Sequence, residues 1–305
     1  MSVLQDKIKI VTWNVDGIRS RIFDKYNDIE FKKTKLNKRK VVKNSPLDYL
    51  ISLNPDIICI QETKCQDKHI NKFKFPGEYK YVYHNCHYKS YAGVMIISKI
   101  KPLPDQDEYQ IKDCPNLELY KGRILIIRYE KFILINTYVP NSGSNLDFRL
   151  NDFDKCMYNH LHKLKENNIP IIWTGDLNVS RFNTDVPPYV KMVTAKEYKK
   201  NPNKGRPGYI KEEIDNINKI LKSGFIDIFK YLYPNKISTE SYTQWSRLNK
   251  QHRYNTKNGM RLDYFIIQDK FINIVKDIKI YKYIGYFENP INYDVNDLYN
   301  NKKLN

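Results

Sequence analysis

Acidic and amide side chains recur at the ends of short apolar segments in this chain, where they would suit the chemistry of phosphates. In chain order the set is Asn14, Asp16, Glu62, Asp176, Asn178 and Asp263. Carboxylate oxygens are the ligands that Mg²⁺ prefers, and amide groups donate hydrogen bonds to phosphoryl oxygens. A single Asp after a strand is more often a turn or cap residue, so the prediction of a metal and phosphate site depends on the whole set.

Segments rich in β-branched residues predict the strands that would position these side chains. The predicted strands are 8–13, 56–60, 93–98, 123–129, 132–138, 169–173 and 262–267. Apolar residues three and four positions apart predict helices at 46–53, 146–167 and 210–223. This mixture predicts a layered α/β fold. No linker rich in Gly, Ser or Pro divides the chain, so one domain spanning 1–305 is expected.

The composition favours a polyanionic partner. The 305 residues include 52 Lys and Arg against 34 Asp and Glu, which gives a formal net charge of +18. Lys, Asn, Ile and Tyr are all abundant, as expected from a coding sequence poor in G and C, so part of this charge is also explained by mutational drift. No segment reaches about 18 uncharged apolar residues, so no membrane span is expected.

The cysteines favour a reducing compartment, and together with the lack of a predicted membrane span this leads us to expect a soluble, intracellular protein. There are five, an odd number, and none shows the short paired spacing of a zinc knuckle or redox pair. His84, Cys86 and His87 are close in sequence and have side chains that bind metals. Because no second cluster accompanies them, a chance grouping in a loop is the favoured interpretation.

Two segments are predicted to be irregular. Residues 31–45 are dense in Lys and Arg and indicate a basic insertion. A solvated loop, a phosphate contact and a nuclear import signal all fit that run, so nuclear and cytoplasmic placement both stay open. Residues 185–207 contain four prolines, which break any long element.

Five ordered motifs resemble the exonuclease III family of apurinic/apyrimidinic (AP) endonucleases, within the endonuclease/exonuclease/phosphatase superfamily. They are Asn14-x-Asp16, Gln61-Glu62-Thr63-Lys64, Tyr138-Val139-Pro140-Asn141, Gly175-Asp176-Leu177-Asn178 and Arg261-Leu262-Asp263-Tyr264-Phe265. The likeness spans nearly the whole chain and is closer to the DNA-repair branch than to the inositol phosphatases, sphingomyelinases or pancreatic-type deoxyribonucleases. It implies a four-layer α/β sandwich of two mostly antiparallel sheets flanked by helices.

The resemblance also implies roles in catalysis. Glu62 is expected to be the principal Mg²⁺ ligand, with Asp16 contacting the ion directly or through water, and Mn²⁺ is the expected substitute. Asp176 is expected to orient or deprotonate the attacking water, Asn178 to hold both, and Asn14 to donate to the developing oxyanion.

Further residues are implied to contact or support the substrate. Tyr138 and Asn141 are expected to grip the scissile phosphate, and Asp263 to complete the catalytic set. Lys64 is expected to support the metal site and nearby backbone contacts, and Arg123 belongs to a shorter signature, Gly122-Arg123, that the family shares. Tyr138 has an equally good interpretation as an ordinary aromatic residue at a strand end.

Two pocket positions depart from the family pattern. Met260 stands where a Trp commonly lines the abasic pocket, and Tyr209 replaces the usual Phe. Tyr209 is a mild change, and Met260 keeps an apolar wall that suits a flipped sugar without its base. The loop after Asn141 lacks an Arg that many eukaryotic relatives place there to probe the duplex.

Another departure concerns catalysis. The family normally ends with a Ser-Asp-His-x-Pro segment, but Phe287 and Glu288 occupy the Asp and His places here. A carboxylate repels a phosphate and cannot donate as an imidazolium does. Loss of such a donor typically slows a reaction by about 10²- to 10³-fold.

Three functions therefore remain open from the sequence. The first is a Mg²⁺-dependent phosphodiesterase, a monomer, that cuts double-stranded DNA 5′ to abasic sites, with 3′ exonuclease activity also allowed. The second is a non-catalytic relative that binds nucleic acid or protein, motivated by Phe287 and Glu288. The third, a phosphomonoesterase of lipid or inositol phosphates, is opposed by the repair-type motifs.

Overall fold

The apolar segments of the chain form eleven strands within the part that the computed structural model describes, residues 7–20, 46–70, 73, 75–87, 91–106, 110–245 and 258–281. The strands are β1 Ile10–Asn14, β2 Ile57–Gln61, β3 Tyr81–Asn85, β4 Val94–Ser98, β5 Ile124–Arg128, β6 Ile133–Tyr138, β7 Ile171–Asp176, β8 Phe225–Asp227, β9 Gln244–Trp245, β10 Gly259–Met260 and β11 Asp263–Gln268. The helices are α1 Pro46–Ser52, α2 Asp67–Ile70, α3 Ser142–Asp147, α4 Asp154–Lys165, α5 Ala195–Lys200, α6 Lys211–Lys222 and α7 Ile228–Leu232. The segments 31–45 and 287–288, which carry two of the sequence predictions, lie outside the described residues.

Two larger sheets make up the centre of the fold. The first has the strand order β1-β2-β4-β3, and the second has the order β5-β6-β7-β11-β8. Within them β1 pairs with β2 and β6 with β7 in parallel, and the remaining pairs are antiparallel. The short strands β9 and β10 form a separate antiparallel pair.

The alternation of side chains along each strand explains why the two sheets stack. In β2, Ile57 and Cys59 point toward the second sheet and share a cluster with Leu134. Their neighbours Ile58 and Ile60 point the other way, into a cluster that includes residues of α1. Each fully buried side chain of this size stabilises the fold by about 1.5–3 kcal/mol, so burial on both faces holds the layers together.

Helices cover the outer face of each sheet. Leu47 and Leu50 of α1 pack on the first sheet. Apolar residues of α4 and α6, such as Leu161 and Ile217, pack on the second. The predicted four-layer sandwich of two mostly antiparallel sheets flanked by helices is thereby confirmed.

Two predicted elements differ in detail. The helix predicted over 146–167 is interrupted, because Phe148–Phe153 is π-helical between α3 and α4. Apolar spacing does not distinguish such a widened turn from an α-helix. The segment 185–207, predicted to be irregular, contains α5, whose start has a capping box between Thr194 and Glu197. The spacing Thr-x-x-Glu is a signal for a helix start that could have predicted it.

The structure pairs two of the five cysteines. Cys114 and Cys156 are joined by a disulfide with a Cα–Cα distance of 5.8 Å. Spacing could not predict this bond, because 42 positions separate the two residues.

In the described part of the chain, no helix has the length and apolar character needed to cross a bilayer.

A buried arginine ties β11 to the neighbouring strand and loop. The guanidinium group of Arg261 has no exposed surface and binds Asp227 through both of its terminal nitrogens, at 2.7 and 3.1 Å. It also donates to Asp185 Oδ2 at 3.1 Å. Asp227 ends β8, and Asp185 ends a 3₁₀ turn, so this one side chain fixes the approach to Asp263.

We expect Arg261→Met to lower the free energy of unfolding by about 3–5 kcal/mol, because it removes the fully buried cation shared by Asp185 and Asp227 and leaves them only Lys230 and Arg181. The measurement is urea denaturation followed by circular dichroism. Lys199→Met is the control, since Lys199 pairs with Asp147 at the surface, with 52% and 67% of the side chains exposed. That change should cost less than about 1 kcal/mol. Equal losses in the two variants would show that the buried network is not a major source of stability.

Candidate active site

Asn14 joins carboxylates that come from the two different sheets. It is the last residue of β1, and its Nδ2 donates to Glu62 Oε1 and to Asp176 Oδ2, each at 2.8 Å. Its Oδ1 accepts from the backbone N–H of Asp16 at 3.0 Å. Glu62 follows β2 of the first sheet, and Asp176 ends β7 of the second. The strand ends of both sheets therefore meet at one amide side chain.

The strand register places two further predicted residues on either side of Asp176. Tyr138 of β6 lies opposite Asp176, and Asp176 lies opposite Asp263 of β11. The backbone N–H of Asp263 donates to Thr243 Oγ1 at 3.0 Å. The Oδ1 of Asp263 is shielded from solvent and has no hydrogen-bond partner among the described residues. An acceptor of this kind can receive a cation or a donor from a substrate.

Several residues at these strand ends adopt the left-handed backbone conformation. The residues with φ near +50° are Asp16, Glu62, Lys64 and Asn178. For residues other than glycine this conformation costs on the order of 1 kcal/mol or more. Backbone hydrogen bonds hold the chain there, such as Gly17 N–H to Glu62 O at 2.8 Å and Lys64 N–H to Ala92 O at 2.8 Å. The sharp turns direct the functional side chains away from the strands and toward one another.

The two predicted metal ligands already share a cationic partner. Lys64 Nζ contacts Asp16 Oδ1 and lies 2.7 Å from Glu62 Oε2. Both carboxylates therefore present an oxygen to one point. This set of hard oxygen donors fits Mg²⁺ or Mn²⁺.

The electrostatics of the cluster also suit a cation. Burial raises the pKa of Asp176 well above its usual range, and the neighbouring Asp263 and Glu62 carboxylates raise it further. Burial, together with the charge of Glu62, raises the pKa of Asp263 to about 7 despite its hydrogen bond with Thr243. Three carboxylates crowded away from water repel one another, and a bound divalent cation relieves that repulsion.

Residues 11–273 match the endonuclease/exonuclease/phosphatase family. The chain belongs to this family. The resemblance found in the sequence motifs is thereby confirmed.

Repair nucleases are among the relatives of this family member. It is 30% identical over 280 residues to a DNA-(apurinic or apyrimidinic site) endonuclease of Dictyostelium discoideum, with 90% of this chain and 66% of that protein covered. It is 30% identical to the DNA repair nuclease APEX1 of Danio rerio, with 90% and 77% covered. It is 26% identical to an exodeoxyribonuclease of Bacillus subtilis, with 90% and 93% covered.

Not all of each relative is represented. The chain spans 66% of the Dictyostelium protein and 35% of a Drosophila melanogaster relative called recombination repair protein 1.

Among solved structures, an AP endonuclease from Archaeoglobus fulgidus superposes with a TM-score of 0.62 at 24% identity, covering 88% of this chain and 89% of that one. At that identity the superposition shows the shared fold.

Two asparagines, Asn178 and Asn141, are linked to the carboxylate of Asp176. The backbone N–H of Asn178 donates to Asp176 Oδ1 at 2.9 Å, and its Nδ2 donates to Val139 O at 2.7 Å. Asn141 Nδ2 donates to Asn178 Oδ1 at 3.3 Å. These contacts fix the orientation of Asp176, and they bring Asn141 to the same place.

Arg123 packs behind Tyr138 and is only 7% exposed. Its guanidinium donates to Tyr138 O at 3.4 Å and to Tyr91 Oη at 3.0 Å, and it lies 5.4 Å from the ring centre of Tyr138. These contacts support Tyr138, and substrate binding by Arg123 stays a prediction.

A groove of about 1880 Å³ opens at the carboxylate cluster and continues between the sheets. Met260 lines it, as the sequence predicts for a pocket wall, and so does Arg206. Tyr209, the second predicted wall residue, is 6% exposed and packs in the core of the second sheet. Pro207 of the same loop lines the groove instead.

Sequence reasoning missed a buried amide bridge beneath the site. Gln61 Nε2 donates to Asn136 Oδ1 at 2.6 Å, and Asn136 Nδ2 donates to Ile60 O at 3.1 Å and to Met95 O at 2.9 Å. Asn136 belongs to β6, so the bridge links the second sheet to the first. An asparagine inside an apolar strand is the signal that could have found it, because a buried amide needs partners.

Proposed function

We propose that this protein is a Mg²⁺-dependent phosphodiesterase that cuts DNA 5′ to abasic sites. The observation that carries the proposal is the pair of 2.8 Å hydrogen bonds from Asn14 to Glu62 and Asp176, with Asp263 beside them. Relatives named as AP endonuclease and exodeoxyribonuclease favour DNA as the substrate. The net charge of +18 suits a polyanion.

Glu62 and Asp16 are the proposed holders of the metal. Mg²⁺ bound to them supplies positive charge to the phosphate and to the leaving oxygen. Lys64, which contacts both carboxylates, keeps their oxygens directed to a common point before a metal binds.

Asp176 is the proposed general base. Its raised pKa makes the ionised carboxylate a stronger proton acceptor than an ordinary Asp, provided that it is ionised at the working pH. The backbone N–H of Asn178 holds Oδ1, which fixes the lone pairs of the carboxylate. The proton of the attacking water goes to this group as the oxygen approaches phosphorus.

Asn14 has a positioning role in this scheme. The resemblance implies that its amide donates to the oxyanion, but both N–H groups of Nδ2 already donate to carboxylates. Tyr138 is the better placed donor, because it lines the groove opposite Asp176, and burial together with the Glu62 and Asp176 charges raises its pKa, so the hydroxyl keeps its proton. We assign Tyr138 and Asn141 to the phosphate.

The test uses a duplex with one tetrahydrofuran abasic analogue, incubated with the full chain and Mg²⁺. Incision on the 5′ side of the analogue that disappears with chelator supports the proposal. Binding without incision would instead support a nucleic-acid-binding relative that has lost catalysis. A recessed 3′ end in a parallel reaction measures exonuclease activity, and release of phosphate from an inositol phosphate would point to a phosphomonoesterase.

The replaced C-terminal motif gives a separate prediction. We expect Phe287→Asp with Glu288→His to raise the incision rate by about 10²-fold or more, because an imidazolium donor returns. Both positions lie outside the described residues. Phe287→Asp with Glu288→Gln is the matched control, since it removes the Glu288 charge without adding a donor. An incision rate that is already high and unchanged in the double variant would show that the native site lacks no donor.

A further inference from the structure

A second group of potential metal ligands lies beside the candidate active site. Asp67 begins α2, His84 belongs to β3, and Cys86 follows that strand. Their ligand atoms all lie within 4.8 Å of one another. His84 Nδ1 is 2.8 Å from Asp67 Oδ1, and Cys86 hydrogen-bonds to the same carboxylate. Three different donor types thus converge on one point.

The second ring nitrogen of His84 contacts a buried hydroxyl group. Its Nε2 lies 3.1 Å from Thr63 Oγ1, and Thr63 has no exposed surface. A Cβ atom at Gly93 would overlap Thr63 Oγ1, so this hydroxyl is tightly enclosed. Histidines that bind metals through one nitrogen usually engage the other in such a hydrogen bond, which fixes the tautomer and the ring orientation.

The residues of this group differ in exposure, and the group is open to solvent on the Asp67 side. The His84 side chain is only 5% exposed, whereas 67% of the Asp67 side chain is in contact with solvent. A metal can reach the cluster from the Asp67 side without opening the core. The same opening leaves room for water as a further ligand.

We propose that Asp67, His84 and Cys86 bind a divalent transition metal of the zinc class, through one oxygen, one nitrogen and one sulfur. A thiolate and an imidazole select Zn²⁺ over Mg²⁺, which prefers oxygen ligands alone. On binding, the Cys86 thiol gives its proton to solvent, and His84 binds as the neutral imidazole. This site is separate from the cluster of Glu62 and Asp176.

A catalytic thiol is a poorer explanation of the same residues. Burial, together with the neighbouring Asp67 carboxylate, raises the pKa of the Cys86 thiol to about 11, so it is protonated and weakly nucleophilic near neutrality. His84 contacts Asp67 and Thr63 rather than standing between Asp67 and the thiol. The arrangement lacks the order of a nucleophile, base and orienting acid.

The location gives the site a structural consequence. Thr63 lies between Glu62 and Lys64, and it links that turn to His84. A metal that joins α2 to the end of β3 would support this turn through the contact between His84 and Thr63. Zn²⁺ should therefore raise the midpoint of thermal unfolding.

The test is Co²⁺ titration of the metal-free full chain, because thiolate coordination gives a near-ultraviolet charge-transfer absorption that oxygen ligands do not. We expect this absorption in the wild type and its loss in Cys86→Ser. His84→Asn should weaken Co²⁺ binding by about 100-fold. His87→Asn and Glu62→Gln are the controls and should leave the absorption unchanged.

A second measurement needs no variant. Zn²⁺ should protect Cys86 from iodoacetamide in the wild-type protein, as followed by peptide mass spectrometry. The proposal is overturned if the thiolate absorption is absent, if it persists in Cys86→Ser, or if Zn²⁺ leaves the alkylation of Cys86 unchanged. The last result would mean that the three residues form only a hydrogen-bonded cluster.

Discussion

Asp176→Asn is expected to slow abasic-site incision by about 10³-fold, within the range that a positioned general base contributes. Asparagine keeps the shape of the side chain and an oxygen that can accept from Asn14, but it cannot take a proton from water. The measurement is single-turnover incision with enzyme in excess over the abasic duplex. DNA affinity, measured by fluorescence anisotropy, should change little.

The same variant should be more resistant to urea than the wild type in buffer without Mg²⁺. Removing the Asp176 charge relieves its repulsion with Asp263 and Glu62, which the raised pKa of Asp176 reports. Asp147→Asn is the matched control, because the Asp147 side chain is 67% exposed and pairs with Lys199 rather than with the carboxylate cluster. Slow incision combined with lower stability would indicate that Asp176 mainly supports the fold.

Seven of the eleven described strands and the main helices could be predicted from the sequence because their signals are local, whereas β3, β8, β9 and β10 were not predicted. Apolar runs such as 132–138 are continuous in strands buried on both faces, and the structure places β6 at Ile133–Tyr138. The carboxylates and amides at strand ends could be chosen because the motifs are ordered along the chain. The motifs indicate which residues belong to the site, but they do not indicate which of those residues contact one another.

What could not be predicted depends on contacts between distant segments. Arg123 and Asn141 are both polar residues in shared motifs, yet Arg123 lies behind Tyr138 while Asn141 contacts Asn178. The disulfide of Cys114 needs a partner 42 positions away. The same limit applies to the contact between His84 and Asp67.

His84 and Cys86 were interpreted as a chance grouping in a loop because no second sequence cluster accompanies them. Their third neighbour, Asp67, begins α2 and is 17 positions before His84, so only the fold brings it to that side chain. The residue that was grouped with them, His87, instead packs its ring against Tyr91 at 5.8 Å. Sequence proximity alone therefore does not show which side chains surround His84.

Glu62→Gln should raise the Mg²⁺ concentration needed for half-maximal incision by about 100-fold. Glutamine retains the Oε1 acceptor for Asn14 but removes the charge that faces Lys64 and would face the metal. The measurement is incision rate against Mg²⁺ concentration, supported by calorimetric titration of Mg²⁺ without DNA. Glu118→Gln is the control, since Glu118 forms an exposed pair with Lys121.

Excess Mg²⁺ should distinguish the role of Glu62 from the role of Asp176. Incision by Glu62→Gln should recover as Mg²⁺ rises, because mass action compensates for a weaker site. Incision by Asp176→Asn should not recover, because added metal does not replace a proton acceptor. Recovery of the Asp176 variant, or an unchanged Mg²⁺ dependence of the Glu62 variant, would require the assignment of base and metal ligand to be exchanged.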